Sequence, residues 1–147
     1  MYSSAKSITI YKDRILSYLR DDKLTVNDPN KWDLPGVDLE EDETFAGAMR
    51  RAFSEQFGLN PRSIELLGKI GNNLGYEHAI FLTKLTDAEV KGIRLGNRGQ
   101  CYKFLSVQEL IRAGLTRPLH LYFTNHITPL ENLVAGKRVK KEDLSLY

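Results

Sequence analysis

The sequence predicts an α/β protein in which helices cover a mixed β-sheet. Three observations support this prediction: strand-like apolar alternation near the N-terminus, one strongly amphipathic segment at residues 44–57, and further strand-like runs followed by helical patterns. Strands on both sides of a long helix are typical of one sheet with helices packed on it. The chain has 147 residues, the size of one ordinary domain, so residues 1–147 are predicted to form a single domain.

The N-terminal part is predicted to form a β-hairpin, a loop and a short strand. Residues 7–11 and 15–20 alternate on either side of residues 12–14, which supply a turn. Residues 21–31 are polar and contain Asn-Asp-Pro-Asn, a sequence typical of a loop. Residues 32–36, Trp-Asp-Leu-Pro-Gly, predict a short strand that the Pro-Gly pair ends.

Residues 44–57 form the clearest predicted helix. Their apolar side chains recur at steps of three and four residues, which places them on one face. Thr44 is expected to cap the N-terminus. Gly58 is expected to end the helix in a left-handed conformation. One apolar stripe is therefore available to pack on the sheet.

The C-terminal half is predicted to contain more strands and two further helices. The predicted elements before the first of these helices are strands at 64–70, 78–85 and 102–105, a turn at 71–75, and a turn or short helical piece at 86–90. Ser106 and Glu109 have the spacing of a capping box, which begins a short helix that stops at Gly114. Residues 119–127 predict a last helix that Pro129 ends.

Composition excludes several classes of protein. No stretch approaches the roughly 20 apolar residues that span a bilayer, and the N-terminal residues lack the apolar core of a secretory signal. A single cysteine, Cys101, forms neither an internal disulfide nor a thiolate metal cluster, so a reducing cytoplasmic location is expected. The net charge of +2 is too balanced to predict binding to a nucleic acid polymer. Residues 91–103 are basic and free of acids, which fits either a solvated surface or a phosphate-facing loop.

Residues 37–59, VDLEEDETFAGAMRRAFSEQFGL, combine acids, an arginine and a glycine at fixed spacing. The segment resembles the Nudix box, whose pattern is Gly, five residues, Glu, seven residues, Arg-Glu-apolar-any-Glu-Glu-any-Gly-apolar. The matching residues are Glu43, Arg51, Phe53, Glu55, Gly58 and Leu59. The departures are Val37 for the first Gly, Ala52 for the first Glu of the cluster, and Gln56 for its last Glu.

The resemblance implies a Nudix-type α/β/α sandwich with a mixed sheet, and hydrolysis of a nucleoside diphosphate linked to another group. It also implies an ion pair between Glu43 and Arg51 that fixes the loop before the helix, and it is compatible with a homodimer. Family members often carry Glu-Gly-Gln before a late aromatic-rich strand. The matching stretch here is Arg98-Gly99-Gln100, so we expect Arg98, together with Arg51, to bind substrate.

Diphosphate hydrolysis by this family needs Mg²⁺ or Mn²⁺, which carboxylates hold and which activates the attacking water. At about 100° per residue, positions 52, 55 and 56 fall within an arc of roughly 100° on one helix face. Glu55 is therefore the candidate catalytic residue and metal ligand. Gln56 is a weaker candidate ligand because its oxygen is uncharged, and Ala52 has no donor atom.

Three interpretations remain open on the sequence alone. The first is a metal-dependent hydrolase with weak or altered activity, running on Glu55, Gln56 and nearby loop acids. The second is a catalytically inactive protein that binds a nucleotide or nucleoside diphosphate derivative in the same cleft. The third is that Ala52 and Gln56 are engineered replacements in an active parent, although Val37 and Arg98 then need separate explanations.

Overall fold

The structure is a computed structural model and describes residues 2–71 and 75–147. Its described residues form one mixed sheet with helices on both faces, which confirms the predicted α/β class. The strands are β1 (Ser4–Tyr11), β2 (Arg14–Leu19), β3 (Trp32–Asp33), β4 (Gly36–Asp38), β5 (Glu65–Gly71), β6 (Glu77–Lys84) and β7 (Cys101–Leu105). The helices are α1 (Phe45–Phe57), α2 (Asp87–Lys91), α3 (Val107–Ala113), α4 (Arg117–Asn125) and α5 (Ile127–Val134), followed by a 3₁₀ helix (Lys141–Leu144).

Strand β1 organises the sheet. It pairs in parallel with β6 and antiparallel with β2 and β4, in the path β3-β2-β1-β6-β5. The predicted hairpin between β1 and β2 is confirmed, since Tyr11 pairs with Arg14. Lys12 and Asp13 close the turn with φ of 47° and 61°, the left-handed values that a tight hairpin needs at both central positions.

The predicted short strand at residues 32–36 is present as β3, which ends at Asp33, but the prediction did not include a second strand directly after Pro35. Leu34 and Pro35 lie in no strand, and a new strand, β4, begins at Gly36. Gly36 pairs with Lys6 of β1, where a Cβ would lie 2.5 Å from the Ala5 carbonyl oxygen. The glycine is therefore needed for close approach to β1, and it carries the chain directly towards α1.

Helix α1 agrees with its prediction at both ends. The Thr44 side chain accepts a hydrogen bond from the Gly47 amide at 3.0 Å, and Gly58 ends the helix at φ 62°. The buried face packs with Ala5, Leu16 and other residues on one side of the sheet. Ile15, adjacent to Leu16, belongs to the second core on the opposite side, where α3, α4 and α5 pack. This alternation produces the α/β/α sandwich.

The C-terminal helices differ partly from their prediction. The capping box of Ser106 and Glu109 is confirmed, and α3 is followed by Gly114 in a left-handed conformation. Pro129 does not end a helix: it is the third residue of α5, where the backbone N–H has no intrahelical acceptor to lose. The predicted turn at 71–75 falls largely on residues 72–74, outside the described residues. Within the described part of the chain, no helix is long and apolar enough to cross a membrane.

Candidate functional site

The loop before α1 is fixed to the helix by an arginine brace. Arg51 Nε donates to Glu43 Oε2 at 2.9 Å, and Arg51 Nη2 donates to Glu43 Oε1 at 3.0 Å. The same Nη2 donates to the Asp38 carbonyl oxygen at 3.0 Å. These bonds confirm the predicted ion pair and connect the end of β4 to the second turn of α1.

Further carboxylates surround the same guanidinium. Arg51 Nη1 lies 3.5 Å from Glu55 Oε2 and 3.7 Å from Glu40 Oε1. Hydrogen bonding from Arg51 lowers the pKa of Glu43 to about 2, and hydrogen bonding to Glu43 raises the pKa of Arg51. Acceptors from the protein thus occupy Arg51 on several sides, so it acts here as a brace. Substrate binding by Arg51 stays a prediction.

The first clustered acid of the Nudix box is replaced by an alanine that lies in the core. Ala52 has no exposed surface and packs in the cluster beneath α1. Its methyl group extends the apolar stripe of the helix, as the sequence predicts. A metal ligand cannot be supplied from this position.

The last acid of the Nudix box is replaced by a glutamine whose side chain is bonded to β4. Gln56 is 3% exposed. Its Nε2 donates to the Gly36 carbonyl oxygen at 2.8 Å, and its Oε1 accepts from the Gly36 amide at 3.1 Å. The amide therefore joins α1 to the first residue of β4. This role was not predicted, and it commits the oxygen that the sequence suggested as a weak metal ligand.

Glu55 is the one position of the predicted cluster that keeps a carboxylate. Its side chain is 56% exposed. It lines a cavity of about 270 Å³ together with Gln56, Asn97 and Arg98. Its nearest described charge partner is Arg51, so its carboxylate is shared with the brace.

The segment after α2 covers the last turn of α1. The Arg94 amide donates to the Phe57 carbonyl oxygen at 2.9 Å, and the Gly96 amide donates to the Gln56 carbonyl oxygen at 2.8 Å. A Cβ on Gly96 would lie 2.0 Å from the Glu55 carbonyl oxygen. This contact brings the basic segment against the helix face on which the three acids were expected.

Arg98 lies where three cavities meet. Besides the cavity at Glu55, it lines one of about 750 Å³ with Tyr2, Val37 and Arg51, and one of about 450 Å³ with Tyr18 and other residues. Arg98 is exposed and forms no ion pair among the described residues. No described carboxylate forms an ion pair with Arg98, so its charge is available in the cleft that the three cavities form.

A divalent metal does not fit this donor set. Among the described residues, no three histidine, cysteine, aspartate or glutamate side chains converge to hold an ion. At the helix, the acid positions hold a buried methyl group, an amide committed to Gly36, and Glu55 beside Arg51. Carboxylates that hold Mg²⁺ need to face it together, and an adjacent guanidinium opposes the ion.

Sequence reasoning missed a buried ionic network next to the cleft. Asp33 is 2% exposed and accepts from Lys6 Nζ at 2.7 Å and Arg20 Nη1 at 2.8 Å. Burial alone would raise the pKa of Asp33, but the charge of Lys6 and the hydrogen bonds from both cations hold it below its ordinary value. An acid inside the apolar run Trp-Asp-Leu was the available signal, because a buried carboxylate requires partners.

The sandwich and the Glu43–Arg51 brace together define a Nudix-type architecture. A family model described as the NUDIX domain matches residues 10–126, more than half of the chain. The chain belongs to the Nudix family. A comparison with curated protein sequences gave no significant match.

Solved structures show the same fold at low sequence identity. A MutT NUDIX hydrolase from Burkholderia pseudomallei is similar with a TM-score of 0.67 and 17% identity, over 84% of this chain and 95% of that one. The NUDIX domain of Shewanella oneidensis NrtR, complexed with ADP ribose, gives 0.61 and 15% over 87% and 89%. A C. elegans Ap4A hydrolase in a binary complex gives 0.63 and 12% over 91% and 99%.

Proposed function

We propose that this protein binds a nucleoside diphosphate joined to a second group, and that it does so without a divalent metal and without hydrolysing it. One observation carries the proposal: two of the three clustered acid positions of the box hold residues with structural roles. Ala52 is core, and both polar atoms of Gln56 are bonded to Gly36. The same region retains an open cleft with an unpaired cation, Arg98.

The diphosphate is assigned to Arg98. A guanidinium presents several N–H groups in one plane and binds phosphate oxygens in pairs. Arg98 lines all three cavities, so a diphosphate held there can extend its nucleoside into one cavity and its second group into another. Its charge takes over part of the neutralisation that a metal ion supplies in active relatives.

The nucleoside is assigned to the cavity of about 750 Å³. Tyr2 and Tyr76 line it beside Leu39, and the acids Glu40 and Glu41 lie at its wall. Aromatic and apolar surface suits a base, while carboxylates accept hydrogen bonds from base N–H and ribose hydroxyl groups. The negative charge of these acids disfavours phosphate at their wall of the cavity, which supports the proposed position of the phosphates at Arg98.

The solved relatives support the ligand class. One similar domain is complexed with ADP ribose, and another similar protein is an Ap4A hydrolase. Both compounds contain a nucleotide joined through phosphates to a second group. ADP-ribose is therefore the first ligand to test.

Metal-dependent hydrolysis is the competing proposal. Glu55 keeps an exposed carboxylate on the small cavity, and Mg²⁺ or Mn²⁺ held by Glu55 and Gln56 would support slow turnover. Against this, Gln56 would have to leave Gly36 to give its oxygen to a metal. Loss of a general base alone typically costs 10²–10⁴ in rate. A cytoplasmic location and a homodimer stay predictions.

Calorimetric titration with ADP-ribose tests the assignment of Arg98. Arg98→Gln removes the charge and keeps polar atoms, and it is expected to weaken binding at least about tenfold, the loss of one charge-assisted hydrogen bond. Arg112→Gln is the matched control, because Arg112 is an exposed arginine that lines none of the three cavities. Equal affinities for both variants and the unaltered protein would exclude Arg98 as the phosphate-binding group.

A further inference from the structure

The cavity of about 450 Å³ has a different chemistry from the larger one. It is lined by the end of β2, the loop that follows it, and Arg98 and Gly99, and neither Glu40 nor Glu41 lines it. Three cations, Arg20, Lys23 and Arg98, line it with Asp21 as the one acid among the described lining residues. This balance selects for an anionic group.

The ionic network at Asp33 neutralises the cations of this cavity only in part. Asp33 is shared between Lys6 and Arg20, so one carboxylate faces two positive charges. Arg20 also has a buried Nε–H with no acceptor among the described residues. Lys23 is exposed and has no ion-pair partner in the described part of the chain. A surplus of positive charge therefore remains at the cavity.

The loop that carries Lys23 is held in place. Gln100 Nε2 donates to the Arg20 carbonyl oxygen at 2.8 Å and to Asn30 Oδ1 at 3.0 Å, which fixes both ends of the loop. The backbone N–H of Gln100 also donates to the Leu19 carbonyl oxygen at 2.8 Å. Gln100, which follows Gly99, thus connects the end of β2 to Asn30 near the other end of the loop.

We propose that this cavity is a second anion subsite, which binds a phosphate group carried by the second moiety of the ligand. The proposal rests on the proposed function for the position of the diphosphate at Arg98. It narrows the ligand class to a nucleoside diphosphate joined to a phosphorylated group, with the nucleoside and the distal phosphate in two different cavities that Arg98 lines. Lys23 and Arg20 are the residues that recognise the distal phosphate.

Inorganic phosphate tests the subsite without reference to any nucleotide. In a ¹⁵N NMR titration, the backbone amides of Thr25 and Gly99, which line the cavity, are expected to shift saturably. Lys23→Gln is expected to raise the apparent Kd at least about threefold, since a partly solvated ion pair contributes less than a buried one. Lys137→Gln is the control, because Lys137 is exposed and lines none of the three cavities. Absence of saturable shifts at these amides overturns the subsite, as does an equal effect of both variants.

A matched pair of ligands then tests the specificity. ADP-ribose and its monophosphate ester on the distal ribose differ by one phosphate group. The ester is expected to bind about tenfold more tightly, and Lys23→Gln is expected to reduce that ratio to about threefold or less. Equal binding of the two ligands would overturn the inference and leave the proposed function intact. Binding of neither ligand, with phosphate shifts retained, would instead refute the proposed function.

Discussion

The side-chain amide of Gln56 forms two hydrogen bonds with the backbone of Gly36, donating to its carbonyl oxygen at 2.8 Å and accepting from its amide at 3.1 Å. Only a group that donates and accepts can make both bonds. A glutamate at position 56 could accept from the amide, but its charged oxygen would face the carbonyl oxygen. The replacement of the last box acid is therefore matched to the start of β4, and restoring the acid should not restore a metal site.

Gln56→Glu is expected to lower the free energy of unfolding at neutral pH by about 2–3 kcal/mol, because it buries an unpaired charge against a carbonyl oxygen. Urea denaturation measures the effect. Glu55→Gln is the control: its side chain is 56% exposed, and a change within about 0.5 kcal/mol is expected. A stable Gln56→Glu variant that gains Mg²⁺-dependent hydrolysis of ADP-ribose would contradict the structural role of the amide.

Gly96→Ala tests the close contact between the basic segment and α1. The added Cβ would lie 2.0 Å from the Glu55 carbonyl oxygen, so the segment must shift, and a loss of about 2–3 kcal/mol is expected. Gly92→Ala is a matched control, because the same methyl group there meets its nearest atom at an ordinary 3.5 Å. That control should be neutral or gain up to about 1 kcal/mol. Equal effects of the two substitutions in thermal or urea unfolding would refute the contact.

Glu43→Gln tests the brace through its pH dependence. In the folded protein, hydrogen bonding from Arg51 lowers the pKa of Glu43 from 4.5 to about 2. The ionised form is therefore favoured by folding, so its contribution is complete above the unfolded pKa and disappears as the pH falls through the folded value. The wild type should exceed Glu43→Gln in unfolding free energy by about 1 kcal/mol at pH 7. The difference should shrink as the pH falls below 4.5 and be mostly lost by about pH 2, and a difference that grows on acidification would contradict the brace.

Local patterns predicted most of the fold because they report local physics. The spacing of apolar residues in α1, the Thr44 cap and the Gly58 terminus are all properties of the helix itself, and each is confirmed. Pro129 was misjudged because a proline that ends one helix and a proline in the first turn of the next have the same local sequence. The start of strand β4 at Gly36 was not predicted because it depends on the close approach of Gly36 to Ala5, which lies in another strand.

The sequence predicted the family to which the site belongs, but it predicted few of the contacts between the site residues. Box spacing indicated the family and the Glu43–Arg51 pair, since both depend on one segment of chain. The partner of Gln56 lies 20 residues away on β4, and the cavity at Lys23 combines two segments that are far apart in the chain, residues 18–27 and residues 98 and 99. Such contacts depend on tertiary packing, which single-sequence patterns do not encode.

The central claim is that the cleft binds a nucleoside diphosphate derivative without a metal ion and without turnover. The most direct test is the Kd for ADP-ribose, measured by calorimetry with EDTA and again with Mg²⁺, while release of AMP is followed by chromatography. We predict the same Kd within about twofold under both conditions and no AMP above the level without protein. Binding that requires Mg²⁺, or AMP release that Glu55→Gln abolishes, would contradict the account and establish a hydrolase.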